Sequence, residues 1–355
     1  ELSTISTRYL VAADGHKGAA RAAAGVGVHG RQRKTAASAM FASFQADLRA
    51  ALDGAAVGLW HLHNPALPHG SATVVTTDDP DRFVIGGGFS AHDAEPEQLI
   101  GHIRTAVGVP GLQVRNLDVA WTSGDTWITR VADTFRAGRI LLAGDAAHLM
   151  PPTGGQGGNT AVLDGYHLAW KLAAVLAGHA ADRLLDSHDA ERRPYADLLA
   201  EQQYANYVQR IDPGLADESV AKIIDPARGL FGYVCPSGAF LPEPGDANAG
   251  MFEDPAHPTA RPGARAPHAI LPDGTSTRDL LGRGFVLLTA GRHSDWRQAA
   301  VGLHPQVNTH DLDDAARTLY RLPERGAALV RPDGIIAWRS TDPAALAAAL
   351  NSILR

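Results

Sequence analysis

Cysteine is nearly absent: Cys235 is the only one in 355 residues. A disulfide within the chain is excluded, and a lone thiol fits a reducing, cytoplasmic compartment. Long apolar runs are missing too. No uninterrupted apolar stretch reaches membrane-spanning length, so no transmembrane helix and no membrane partner are expected. The opening ELSTISTRYLVAADG lacks a basic segment followed by an apolar core, so no signal peptide is expected. An excess of positive charge is also lacking. The formal net charge of −6 argues against nucleic acid as a partner. Lysine is scarce while alanine and glycine abound, a bias that fits a GC-rich genome better than any function.

What remains is an ordinary globular composition, 45% hydrophobic and 20% charged, long enough for two or three domains. Residues 1–40 hold one strand at Tyr9–Ala13, an Asp-Gly turn and a short helix in KGAARAAAG. Residues 41–130 alternate in runs such as SATVVTT and DRFVIGGGF, the pattern of a mostly antiparallel sheet. One helix is expected in EPEQLIGHIRTAVG, with Pro96 in its first turn. Residues 131–210 return to strand, turn and helix. RILLAGD reads as a strand buried on both faces. A helix is expected from about Asn159, with Asn159 as N-cap, to Leu176, closing near Gly178. A second helix follows, which Pro194 should kink or divide.

Residues 211–265 are rich in Pro, Gly, Asp and Ala and read as a connector. From Ala266 the order is strand, helix, hairpin, helix, with the hairpin turning at Pro332-Asp333-Gly334. That order suggests a small α/β domain over 266–355.

The chemistry concentrates in GRILLAGDAAHLMPPTGGQGGNTAVLDGYHLAWKLA. Gly144 allows a tight exit from the strand, which puts Asp145 at its carboxyl end, where open α/β sheets bind ligands. A carboxylate there can accept hydrogen bonds from sugar or polyol hydroxyls. Four glycines then fall within Gly154–Gly158, interrupted only by Gln156. Backbone without side chains lets a flat ligand come close. The following helix points free N–H groups and its positive end at this loop, a setting for negative charge. A plain Gly-rich surface loop is the alternative reading of the turn alone.

These residues resemble the FAD-dependent aromatic hydroxylases of the p-hydroxybenzoate hydroxylase type. The match runs through Gly144, Asp145, Ala146, Ala147, His148, Pro151, Pro152 and Gly154 through Asn159. By that resemblance Asp145 binds the ribityl chain of FAD, the backbone at Gly157, Gly158 and Asn159 faces the pyrimidine edge of the flavin, and Gly144, Pro152 and Gly155 belong to the same cofactor site. His148 is structural. Gly158 stands where the family often has a larger apolar residue. YLVAADGHKGAARAAAGV resembles the family's Asp-Gly segment, shared by FAD and NAD(P)H binding, with Asp14, Gly15 and Arg21; Gly18 replaces a common Ser. The tail RPGARAPHAILPDGTSTRDLLGRGFVLL resembles the thioredoxin-like domain of the phenol, chlorophenol and polyketide hydroxylase branch. Without a cysteine that tail has no dithiol chemistry. A structural part, such as homodimer contacts, is expected of it.

The resemblance implies an α/β and α+β architecture. Residues 1–40 and 131–210 would be parts of a Rossmann-like FAD-binding domain, 41–130 an antiparallel substrate-binding sheet, 211–265 a connector and 266–355 a thioredoxin-like domain. It implies an enzyme in which NAD(P)H reduces FAD. Dioxygen then forms a flavin C4a-hydroperoxide, which hydroxylates a phenolic or polyketide ring. Candidates for the substrate pocket are His61, His63, Phe89 and Trp121. No catalytic base is identifiable, and HLHNPALPH lacks the partners of a metal site. The family's first fingerprint, G-x-G-x-x-G, does not occur ahead of Asp14. The expectation is a chain without its N-terminal nucleotide-binding segment. Half of a split enzyme, or a flavin-free, non-catalytic protein of the same fold, are the alternatives.

Overall fold

The computed structural model describes residues 4–32, 38–52, 54, 57–67, 70–87, 95–123, 127–245 and 250–355. They form two compact units. One joins Glu1–Gly30 to Thr129–Arg355, and the other is Arg31–Ile128.

The first unit opens with β1 (Leu10–Ala12), α1 (Ala19–Ala23) and β2 (Val28–His29). The Asp14 carboxylate accepts the Ala20 amide at 2.8 Å and so turns the chain from β1 into α1.

The second unit is the alternating region. Its strands are β3 (Ser38–Gln45), β4 (Leu59–His63), β5 (Ser71–Thr76), β6 (Arg82–Gly86) and β7 (Arg115–Ser123), in the order β4-β5-β6-β3-β7. Every pairing in this sheet is antiparallel. Helix α2 (Pro96–Val107) covers one face. Pro96 starts it because the missing N–H costs nothing in the first turn, and Gly108 ends it in a left-handed conformation. Leu99, Ile103 and Ala106 recur at helical spacing and pack on Ala42, Phe44, Val74 and Ile85. Leu99 and Ile103 are fully buried, and each contributes about 1.5–3 kcal/mol.

The chain then re-enters the first unit through β8 (Arg130–Ala132), β9 (Arg136–Ala137), β10 (Ile140–Leu142) and β11 (His148–Leu149). Strand β10 runs parallel to β1, with Leu10 opposite Ile140 and Ala12 opposite Leu142. Strand β8 lies between β11 and β2.

Helix α3 spans Gln156–Leu176, three residues earlier than the sequence predicts. Its N-cap is Gly155, in a left-handed conformation, not Asn159. Asn159 lies inside the first turn and donates to the Gly155 carbonyl at 2.8 Å. Gly157 and Gly158 are tolerated there because the helix draws its support from tertiary packing rather than propensity.

Helix α4 spans Asp186–Arg210 without a break at Pro194. The flanking residues Glu191, Arg192, Tyr195 and Ala196 are all buried, and their contacts hold the helix through the lost hydrogen bond. Helix α5 (Pro226–Phe231) punctuates the irregular stretch that follows, capped by the Asp225 side chain.

The C-terminal part contains β12 (Phe285–Thr289), α6 (Ser294–Ala300), β13 (Val307–Asp311), α7 (Asp314–Leu319), β14 (Ala327–Val330), β15 (Ile336–Ser340) and α8 (Leu346–Ile353). The order is β13-β12-β14-β15, with β12 and β13 parallel and the other pairs antiparallel. One strand and one helix more than the sequence suggests are present here. Only Val307 of β13 is buried, so the strand leaves little periodic signal. Both faces of the sheet are covered. Phe285, Leu287 and Leu329 face one cluster, and Val286, Leu288 and Val330 the other.

Candidate functional site

Asp14 and Asp145 follow two neighbouring parallel strands and lie at the same sheet edge. The Ala143 amide donates to the Ala12 carbonyl at 3.0 Å, which carries the β1–β10 pairing to that edge. Gly144 turns there with φ of 62°, a conformation that favours glycine, and a Cβ would come 3.3 Å from the Ala161 side chain. The turn presents Asp145 to solvent. One Asp14 oxygen is engaged by Ala20, and Gly15 closes the turn with φ of 80°.

The glycine turn stands at the N-terminus of α3. Pro152, Gly155, Gly158 and Asn159 are exposed and Gly157 partly so. A Cβ at Gly155 or Gly158 would meet nothing within 4 Å, and one at Gly157 would meet only Met150 at 3.8 Å. Gly154 differs. Its Cβ would lie 2.5 Å from the Gln203 side-chain oxygen. The turn therefore presents bare backbone outward and packs against α4 inward. No side chain caps this helix end, so its first N–H groups remain available to an acceptor. An outward carboxylate beside outward N–H groups suits a ligand with hydroxyls at one end and anionic character at the other. The ribityl-flavin part of FAD has that chemistry.

Beneath the turn lies a buried polar cluster. Asp164 of α3 accepts the Gly144 amide at 3.0 Å, His148 Nε2 at 2.7 Å and Arg192 Nε at 2.8 Å. Arg192 also donates to Thr160 Oγ1 at 2.6 Å. Burial alone would raise the Asp164 carboxyl. The His148 hydrogen bond and the Arg192 charge outweigh it and hold that carboxyl well below the ordinary carboxylate range. His148 is 1% exposed and belongs to this cluster, in keeping with a structural part.

A second buried cluster ties α3 and α4 to the C-terminal sheet. Glu191 accepts Lys171 Nζ at 2.7 Å and Arg331 Nη1 at 2.7 Å. Asp333 accepts Arg331 Nε at 2.9 Å, His167 Nδ1 at 2.7 Å and Trp170 Nε1 at 2.8 Å. His167, Glu191 and Asp333 bring donor atoms within 4.8 Å of one another. Both carboxylates are already matched by Lys171 and Arg331, so the trio is an ion-pair core rather than a metal cage. Sequence reading misses both clusters. The one signal is Asp164, His167 and Lys171, charged residues at i, i+3 and i+7 on the buried stripe of an apolar helix.

The substrate candidates lie in the other unit. His61 and His63 point the same way from β4, on the face opposite that covered by α2. His61 pairs with Thr73, whose hydroxyl is 3.1 Å from its Nδ1. Trp121 is in β7, opposite Met40. Strands β4 and β7 are the two edges of the sheet, four strand spacings or about 19 Å apart. The fold does not bring the histidines and Trp121 together. Phe89 lies outside the described residues.

Residues 1–203 match the FAD binding domain family, and residues 259–355 match the aromatic-ring hydroxylase C-terminal family. A 4-methyl-5-nitrocatechol 5-monooxygenase from Burkholderia sp is 36% identical over 388 residues, covering 99% of this chain and 69% of that protein. Aklavinone 12-hydroxylase RdmE from Streptomyces purpurascens is 35% identical, covering 98% of this chain and 67% of that protein. The crystal structure of an aklavinone-11 hydroxylase with FAD and aklavinone superposes with a TM-score of 0.84 at 34% identity. It covers 98% of this chain and 67% of that one. The chain thus spans about two thirds of the length of these relatives.

Proposed function

Because the chain belongs to the FAD-dependent aromatic-ring hydroxylases, we propose that it serves NAD(P)H- and dioxygen-dependent hydroxylation of a phenolic or polyketide ring. The observation that carries this reading is the exposed Asp145 carboxylate beside the bare glycine turn of α3. Asp145 would accept hydrogen bonds from the ribityl hydroxyls. The amides around Gly157, Gly158 and Asn159 would meet the pyrimidine edge, where the positive end of α3 favours an anionic reduced ring. Bound FAD, reduced by NAD(P)H, supplies the oxygen-insertion chemistry. The protein's own part is placement. Gly144 and Gly155 give the backbone its turns, and the Asp164–Arg192 pair fixes the strand end against α3. Asp14 and Gly15 are assigned to the same cofactor edge.

Residues 1–40 with 131–210 are read as parts of the FAD-binding domain, 41–130 as the substrate sheet and 211–265 as the connector. The order β13-β12-β14-β15 supports reading 266–355 as thioredoxin-like. His61 and His63 share one strand face and are proposed for the substrate pocket; Trp121 would serve a separate part of that sheet. The names of the aklavinone hydroxylases and of a putative polyketide hydroxylase from Streptomyces halstedii support a polyketide substrate.

The test is a titration of the purified chain with FAD, followed by quenching of flavin fluorescence. The expected result is saturable quenching, weakened about tenfold or more by Asp145→Ala, which removes a charged acceptor. Equal quenching by both proteins, or none by either, would remove Asp145 from the cofactor site.

A further inference from the structure

A cavity of about 30 Å³ lies within the first unit, where α3, α4 and α5 meet the end of the connector. Leu163, Leu230, Phe231 and Ile335 form its apolar walls. A single water needs about 10–15 Å³. The space therefore admits a small ion or a pair of waters, and no organic ring.

Its polar lining is uneven. Glu191 borders the cavity, but both its oxygens are taken, Oε1 by Arg331 and the Ala239 amide, Oε2 by Lys171 and Arg331. Tyr195 and Tyr233 donate their hydroxyls to the Gly229 and Glu191 carbonyls at 3.2 and 3.1 Å. His167 gives Nδ1 to Asp333, so its Nε2 donates only when the ring is protonated. Arg192 is 4% exposed, with Nε spent on Asp164 and Nη2 on Thr160. Its Nη1 makes no hydrogen bond and keeps accessible surface. Arg265 is exposed, and a bridge to Ile335 holds its backbone. Its side chain has no ion pair or hydrogen bond among the described residues; the Phe231 ring lies 5.8 Å from its Cζ.

The two guanidinium groups are near enough for their like charges to oppose each other. The charges packed around the cavity do not balance either. Lys171, Arg192, Arg265 and Arg331 are set against Asp164, Glu191 and Asp333. The positive charge left over is that of Arg265, beside apolar walls that weaken screening by water.

We propose that this cavity binds a monovalent inorganic anion of halide size, held between Arg265 and Nη1 of Arg192. An anion there relieves the repulsion between the two arginines and supplies the missing negative charge. Water fills the same space but brings no charge. The site stands apart from the flavin assignment and does not depend on it.

The test is broadening of the chloride NMR signal by the full chain, followed as bromide is added. Ionic strength is held constant with methanesulfonate, which is too large for the cavity. The expected result is a saturable broadening that bromide displaces. Arg265→Gln should weaken chloride binding about tenfold or more, because it removes a charge-assisted donor. The Arg265 side chain bonds to nothing in the fold, so this variant should keep its urea midpoint. Arg278 is close enough for its charge to act on Arg265, and Arg278→Gln removes it while leaving the cavity intact. Solvent and salt screen that charge, so binding should change about twofold or less. Leu230→Trp should fill the cavity and release chloride with both arginines in place, which keeps the proposal testable should Arg265→Gln fail to fold. Broadening that never saturates, or none at all, would mean that the cavity holds only water and would overturn the proposal. Equal losses in Arg265→Gln and Arg278→Gln would overturn it too, since they would mark diffuse attraction to a basic surface.

Discussion

His188 shows how burial sets the behaviour of one residue. Its Nε2 is 2.8 Å from the Leu142 carbonyl, while its Nδ1 is buried without a partner. Adding a proton would place a charge and an unmatched N–H in the core. Burial, helped by Lys171, accordingly lowers the imidazole from 6.5 to about 4. The unfolded chain takes up that proton near pH 6.5 and the folded one does not. Stability from this group is therefore complete above pH 6.5 and falls as the pH drops towards 4, by on the order of 3 kcal/mol. Urea melts between pH 4.5 and 7.5 should show the slope, and His188→Gln, which can still donate to Leu142, should flatten it. An unchanged slope in that variant would assign the pH dependence elsewhere. His29 works in the opposite direction, raised by its bonds to Asp133 and Asp197 in spite of desolvation. It is half exposed, so solvent screens it and the buried histidine should dominate. At this scale the sequence exposes Asp145, because the carboxylate sits in an ordered local motif. Asp164 and Arg192, 28 residues apart, meet only through the packing of α3 on α4, and no local pattern announces them.

Among the elements, the start of α3 is the instructive case. Propensity disfavours a helix through Gly157 and Gly158 and places the cap at Asn159, yet the helix begins at Gln156. Gly155 makes this possible by adopting φ of 65°. Gly155→Ala should cost about 1 kcal/mol, the strain of a left-handed alanine, because its Cβ would meet nothing within 4 Å. Denaturant midpoints would check this; a cost of several kcal/mol would mean that the turn rearranges. Pro194 teaches the same lesson for α4, where tertiary contacts override a residue expected to interrupt. Strands with clear alternation, β5 and β6, and helices with a clear apolar stripe, α2 and α8, are legible from the sequence alone. Strand β13 is not, since most of it is only partly buried.

For the first unit as a whole, the decisive contact spans 140 residues. Arg331, in the turn region between β14 and β15, reaches Glu191 of α4, and beside it Asp333 engages His167 and Trp170 of α3. The sequence marks Pro332-Asp333-Gly334 as a turn but gives no hint that the turn is buried against distant helices. Charges so deeply placed are unforgiving. Arg331→Met should destabilise the protein by about 3–5 kcal/mol, because Asp333 and Glu191 would be left undercompensated. A thermal or urea melt reads the loss directly, and a change below about 1 kcal/mol would mean that Lys171 and His167 suffice.

Cys235 sits in the apolar cluster beneath the C-terminal sheet, with Phe240, Phe285 and Leu350, and burial pushes its thiol up to about 12. A protonated, enclosed sulfur hardly reacts with disulfide reagents or maleimides. Its labelling rate is therefore a clock for transient opening of that core, free of interference because the chain has no second thiol. The same silence makes the protein a ready background for a spin label or fluorophore. A cysteine introduced on the surface would take the probe alone while Cys235 stays dark.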